Sequence, residues 1–83
     1  MTTITVLYFA AVRDLVGRDE ERIALPPEVT SVGALARLLA SRHPALAGRL
    51  ASVRFACNES FTTDAGPLAD GDVIALIPPV AGG

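Results

Sequence analysis

Eighty-three residues, 51% hydrophobic and 19% charged, describe one globular domain with a packed core and leave no room for a second. Seven basic residues against nine acidic ones give a net charge of −2, and no basic run is interleaved with aromatics, so neither nucleic acid nor an anionic surface is an expected partner. A single cysteine and a single histidine exclude an internal disulfide, iron–sulfur ligation and multi-thiolate zinc sites, and no metal is expected.

The opening "MTTITVLYFAAVRD" has no basic n-region, and polar residues interrupt its apolar run, so neither a signal peptide nor a spanning helix is expected and a cytoplasmic location is. "TITVLYFA" alternates and is rich in β-branched and aromatic residues, which predicts a strand from about Thr3 to Phe9. In "AVRDLVG", Val12, Leu15 and Val16 fall at helical spacing before Gly17, which predicts a short helical turn closed by a glycine cap. "EERIAL" is a second strand, ended by Pro26 and Pro27, which cannot donate to a ladder.

The strongest helix follows, with Thr30 or Ser31 as N-cap and Val32, Leu35, Leu38 and Leu39 on one stripe. Pro44 disfavours helical geometry in the residue before it, so this helix stops near His43. A looser apolar segment, "PALAGRLA", leads to strands at "VRFACN", "SFTT" and "DVIALIP", the last entered through the turn "ADGD" at Gly71.

One main helix against a sheet in this order predicts an α+β fold of the β-grasp type, with the last strand parallel to the first in the sheet centre. One helix covers one face, yet both faces read as apolar: Ile4, Val6 and Tyr8 oppose Leu7 and Phe9, and Ile74 and Leu76 oppose Val73, Ala75 and Ile77. Either loops and the "AVRDLVG" turn cover the second face, or an apolar patch is left for a partner protein.

Internal catalytic apparatus is sparse. Asp70 and Asp72 flank Gly71 and read as turn formers, Cys57 as a small buried strand residue, and His43 as a solvated helix-end residue. The cluster Asp19, Glu20, Glu21 reads as a solvated connection beside Arg13, Arg18 and Arg22. All seven bases are arginine, which excludes P-loop and Schiff-base lysines; compositional bias in an alanine-rich chain accounts for this, and the other reading is that a chain whose own carboxyl is activated gains by carrying no side-chain amine to attack it.

The sequence finishes on "IPPVAGG". Pro78 and Pro79 stop ladder pairing and extend the chain, and the five residues beyond Pro78 can project roughly 16 Å at about 3.3 Å each. Gly82 and Gly83 would let the backbone thread a narrow cleft. The expected organisation is a β-grasp domain over 1–78 and a flexible tail over 79–83.

"VLYFAAVRDLVG", the "LARLLASRHP" helix, "FACNES" and "PLADGDVIALIPPVAGG" together resemble the small subunits of molybdopterin synthase, a family of ubiquitin-like sulfur carriers. The likeness spans essentially the whole chain; Ala81 stands where that family often has Ser or Thr, and Leu76 and Ile77 where it often has an aromatic residue. The resemblance implies a non-catalytic subunit of an enzyme complex whose Gly83 carboxyl is adenylated by a ubiquitin-activating-like adenylyltransferase that uses ATP. The group then becomes a thiocarboxylate.

The resemblance further implies that the tail enters the large subunit of molybdopterin synthase and donates sulfur to cyclic pyranopterin monophosphate, within a heterotetramer. Gly82, Ala81, Val80, Pro79 and Pro78 would contact the partner, with Ile77 and Phe9 beside them. No cofactor is expected on this chain. A carrier serving thiamine, tRNA thiolation or cysteine synthesis, a protein conjugator, and a pure interaction module remain as other readings of these residues.

Overall fold

The computed structural model describes residues 1–79. Strand β1 (Thr3–Tyr8) leads into helix α1 (Ala10–Val16), strand β2 (Glu20–Ala24) and helix α2 (Val32–Arg42). Two short 3-10 turns at Pro44–Leu46 and Leu50–Ser52 precede β3 (Arg54–Cys57), β4 (Ser60–Thr62) and β5 (Val73–Ile77).

The strands form one sheet in the order β2-β1-β5-β3-β4. Only the β1–β5 pair is parallel, with Thr5 level with Val73 and Tyr8 level with Leu76, and the remaining pairs are antiparallel. This is the β-grasp arrangement expected from the order of elements.

Alternation in β1 sends Ile4, Val6 and Tyr8 to the helix-covered face, where Ile23, Phe55, Ile74 and Leu76 join them. Helix α2 contributes Val32, Leu35 and Leu39, and Leu46 fills the gap beneath the first 3-10 turn; Leu38, expected on the same stripe, is only partly buried. The α2 N-cap is Ser31, whose Oγ accepts from the Ala34 amide at 3.2 Å. Its end is His43, whose backbone is pushed to φ −125 and ψ 86 by the following proline while its N–H still reaches the Leu39 carbonyl.

The strand expected to reach Phe9 ends at Tyr8. Phe9 is instead the N-cap of α1, in extended geometry, with no side-chain cap bond, and Ala10 takes a positive φ of 49. The expected helical turn is thus a two-turn helix, closed as foreseen by Gly17 at φ 88, whose amide donates to the Arg13 carbonyl. β2 stops one residue short of Leu25, although the Leu25 amide still donates to the Thr2 carbonyl.

Helix α1 places Val12 in the same core that α2 covers. It therefore does not shield the second face of the sheet. Of the two readings of that face, the uncovered apolar patch is the one the structure has.

Candidate functional site

The open face is built by period-two alternation in four strands. Leu7 comes from β1, Ala75 and Ile77 from β5, Ala56 from β3 and Phe61 from β4, and together with Phe9 and Val73 they line a groove of about 530 Å³. Phe9 is 45% exposed, Phe61 58% and Val73 37%, a concentration of bare apolar surface unusual for so small a domain. The turn Asn58–Glu59 bounds the groove at one end.

Because Tyr8 is level with Leu76, the next residues come at the same end of the sheet, Ile77 as the last residue of β5 and Phe9 just past the end of β1. The structure thus brings together two of the predicted partner-contact residues at the end where the chain exits through half-buried Pro78 and exposed Pro79. Val80, Ala81, Gly82 and Gly83 lie outside the described residues.

The "ADGD" turn is held by its aspartates, as expected. Asp70 Oδ1 accepts the Thr3 amide at 2.7 Å, Asp72 Oδ2 the Ala69 amide at 2.9 Å, and Gly71 sits at φ 87. The Ala69 amide, with help from Asn58 and Cys57, holds the Asp72 carboxyl below its ordinary value. Asn58 ties this turn to the β3–β4 hairpin: its Oδ1 accepts the Val73 amide and its Nδ2 donates to Asp72 Oδ1, each at 3.0 Å.

Cys57 is half-buried at the end of β3, less deeply than a core strand residue would be. Its thiol points to Asp72 Oδ2 at 3.5 Å, and burial, reinforced by that carboxylate, pushes its pKa up. A thiol held protonated in this way is a poor nucleophile. Among the described residues no three His, Cys, Asp or Glu side chains gather as metal ligands.

Two expectations fail together. Glu21 is not a solvated linker residue and His43 is not a solvated helix end: their side chains are only 13% and 19% exposed, and His43 Nε2 lies 2.9 Å from Glu21 Oε1. The Tyr8 hydroxyl donates to the same oxygen at 2.8 Å, and the Tyr8 and His43 rings meet edge-on at 6.0 Å. Arg18 and Arg42 approach Glu21 Oε2 at 3.8 and 3.7 Å.

The physical reason lies in register. Glu21 faces Val6 across the ladder and so points to the core side of β2, where α2 delivers His43 and Arg42. Burial pushes the Glu21 carboxyl up, but the hydrogen bonds from His43 and Tyr8 and the nearby positive charges outweigh it and leave its pKa lowered. Burial and the bond to Glu21 push the Tyr8 phenol well above its ordinary value.

Sequence reasoning also missed Arg54. Its guanidinium lies 3.8 Å above the centre of the Phe61 ring, on the open face. The signal was available, since alternation in "VRFACN" puts Arg54 and Ala56 on the same side as Phe61 in the neighbouring strand.

A family model described as the ThiS family matches residues 6–83. The chain belongs to the ThiS family. Among relatives, it is 38% identical to the molybdopterin synthase sulfur carrier subunit of Chlamydomonas reinhardtii, the match covering 96% of this chain and 98% of that one. A putative molybdopterin converting factor subunit 1 from Pyrococcus furiosus has the same ThiS-like fold at a TM-score of 0.87 and 34% identity, covering 96% of this chain and 100% of that chain. A complex of subunits 1 and 2 of the molybdopterin-converting factor of Helicobacter pylori also matches, with a TM-score of 0.71 and 26% identity over 99% of this chain and 100% of that one.

No helix among the described residues is long and apolar enough to cross a membrane. What this ThiS-family domain offers is a bare apolar face that runs up to the point where its C-terminal segment departs.

Proposed function

We propose that this chain is the sulfur carrier subunit of a molybdopterin synthase, itself without catalytic groups, which presents a thiocarboxylate on Gly83 to the large subunit. The observation that carries the reading is the continuity of the open face with the exit of the chain. Phe9 and Ile77 end the apolar groove beside Pro78, so a protein seated on that face would have the C-terminal segment directed into it. The nearly full-length likeness to sulfur carrier subunits supports the same role. The Helicobacter pylori neighbour, solved as a complex of subunits 1 and 2, supports a large subunit as the occupant.

In this reading a ubiquitin-activating-like adenylyltransferase converts the Gly83 carboxylate and ATP to an acyl adenylate and pyrophosphate. A sulfur donor then displaces AMP and leaves the C–S group. Inside the large subunit that sulfur attacks cyclic pyranopterin monophosphate, water then cleaves the acyl–sulfur bond and restores the Gly83 carboxylate, and two such transfers make the dithiolene of molybdopterin. Gly82 and Ala81 thread the channel while Val80, Pro79 and Pro78 direct the tail, and glycine at the last two positions lets the backbone pass close to the partner's walls.

The test is mass spectrometry of the chain incubated with the adenylyltransferase, ATP and a sulfur source. One oxygen should be replaced by sulfur on the terminal peptide, and a variant extended by one residue past Gly83 should show no exchange. A chain that stays unmodified where a control carrier is thiolated refutes the reading.

A further inference from the structure

Two charged side chains on the open face have no part in sulfur chemistry. Arg54 stands at the exit end of the groove, paired across the ladder with Ile77. Its guanidinium carbon lies 3.8 Å above the centre of the Phe61 ring, and no carboxylate among the described residues is within ion-pair distance of it. Glu59 stands at the other end, on the rim beside Val73.

Glu59 is held there at a conformational cost. It has a φ of 73, next to Asn58 at 50, a turn in which glycine is the favoured second residue and a glutamate is strained. The turn does not relax because Asn58 is fixed three ways: its amide donates to the Val73 carbonyl at 2.8 Å, its Oδ1 accepts the Val73 amide and its Nδ2 reaches Asp72. A rigid turn therefore presents an acid at one end of the groove, and a stacked ring presents a base at the other. Four residue steps of β5, from Val73 to Ile77, separate them, about 13 Å at 3.3 Å per step.

We propose that these charges fix the orientation in which the large subunit docks, its surface presenting a carboxylate to Arg54 and a cationic side chain to Glu59. The inference rests on the reading that the open face receives that subunit. The contact with Phe61 uses no hydrogen bond, and the guanidinium donates to no other side chain among the described residues, so its N–H fork is available to a carboxylate. A partner that covered either charge without an opposite one would leave it desolvated and unpaired, which weakens binding. A reversed orientation would set like charges against each other, so the pair selects one direction of docking as well as one chemistry.

Titration calorimetry of the full chain with the large subunit of the same organism's molybdopterin synthase, at low and high salt, tests this. Arg54→Glu and Glu59→Arg should each weaken binding by about tenfold or more, which is about 1.4 kcal/mol. Arg54→Gln should weaken it less and should flatten the salt dependence, and unchanged thermal melts would show that these exposed sites leave the fold intact. Ile77→Asp, which places a charge in the apolar groove, should abolish binding. If Ile77→Asp fails to bind while both charge reversals bind within about twofold of the parent, the charge assignment falls and the docking face stands. If Ile77→Asp binds like the parent, the docking face falls, and the charge assignment falls with it.

Discussion

The Tyr8 hydroxyl donates to Glu21 Oε1 across 2.8 Å, joining β1 to the edge strand β2 on the buried side of the sheet. The same carboxylate receives His43 from the end of α2 and has Arg18 and Arg42 at its second oxygen. Glu21→Ala takes the hydrogen-bond partner from Tyr8 and His43 and the opposite charge from Arg18 and Arg42 at a half-buried site, and should lower stability by about 2–3 kcal/mol. Tyr8→Phe removes one of those bonds and should cost about 1 kcal/mol, a fall in Tm of about 4–8 °C in a domain of this size. Equal melts for Glu21→Ala and the parent would show that the cluster adds nothing.

The same site sets an acid limb. Glu21 has a folded-state pKa below its ordinary 4.5, because the bonds from His43 and Tyr8 outweigh burial, and Asp72 lies below 3.8, chiefly through the Ala69 amide. A carboxyl depressed by folding contributes stability that is present above its ordinary value and lost as pH falls through the folded one. Urea unfolding between about pH 3 and pH 6 should therefore show stability falling once pH drops below about 4.5, with a shallower fall in Glu21→Gln. A gap between parent and variant that stays constant over that range would contradict the shift.

Tyr8 sets the opposite limb. Its phenol is raised by burial first and by Glu21 second, so its contribution is complete below the ordinary value of 10.0 and is lost as pH rises above it. Tyr8→Phe should flatten the alkaline fall in stability measured by the same unfolding titration. A parent and variant that lose stability in parallel above pH 10 would show that the phenol has no part in it.

Much of this fold was legible because it follows from periodicity and punctuation. Alternation in "TITVLY" and "VIALI" fixed the faces of β1 and β5, and Pro44, Gly17 and Gly71 ended elements where their backbone preferences require. The apolar character of the second face was visible as alternation with no polar side, but whether loops cover it was not, because α1 could have packed on either side of the sheet. The Glu21–His43 pair was not, because its members are 22 residues apart and meet only once register turns Glu21 inward. Charge beside charge in "RDEER" reads locally as solvated surface. Phe9 misled for a related reason: strand propensity continues past Tyr8, but Ala10 at positive φ turns the chain into α1.

Gly66 offers a test of the loop that supports α2. It is buried, its carbonyl accepts the Val32 amide at 2.9 Å, and a Cβ built there would overlap Thr62 Oγ1 and come within 3.1 Å of the Thr63 carbonyl. Gly66→Ala should destabilise by about 1–3 kcal/mol, since β4 or the first turn of α2 must shift to admit the methyl. A melt unchanged from the parent would mean that the loop yields freely.

Cys57 separates a carrier that uses its terminal carboxyl from one that relays sulfur through its own thiol. Burial and the Asp72 carboxylate hold the thiol protonated, so a maleimide or iodoacetamide should modify it more slowly at neutral pH than an unhindered thiol. Asp72→Asn removes the neighbouring negative charge and should speed alkylation, though not to the free rate, because burial is the larger cause and remains. Cys57→Ser should still accept sulfur at Gly83 in the mass-spectrometric assay. A variant that folds, binds the large subunit and yet acquires no sulfur would place the thiol on the transfer path, and the carboxyl would then be its acceptor and no longer the first site of attack.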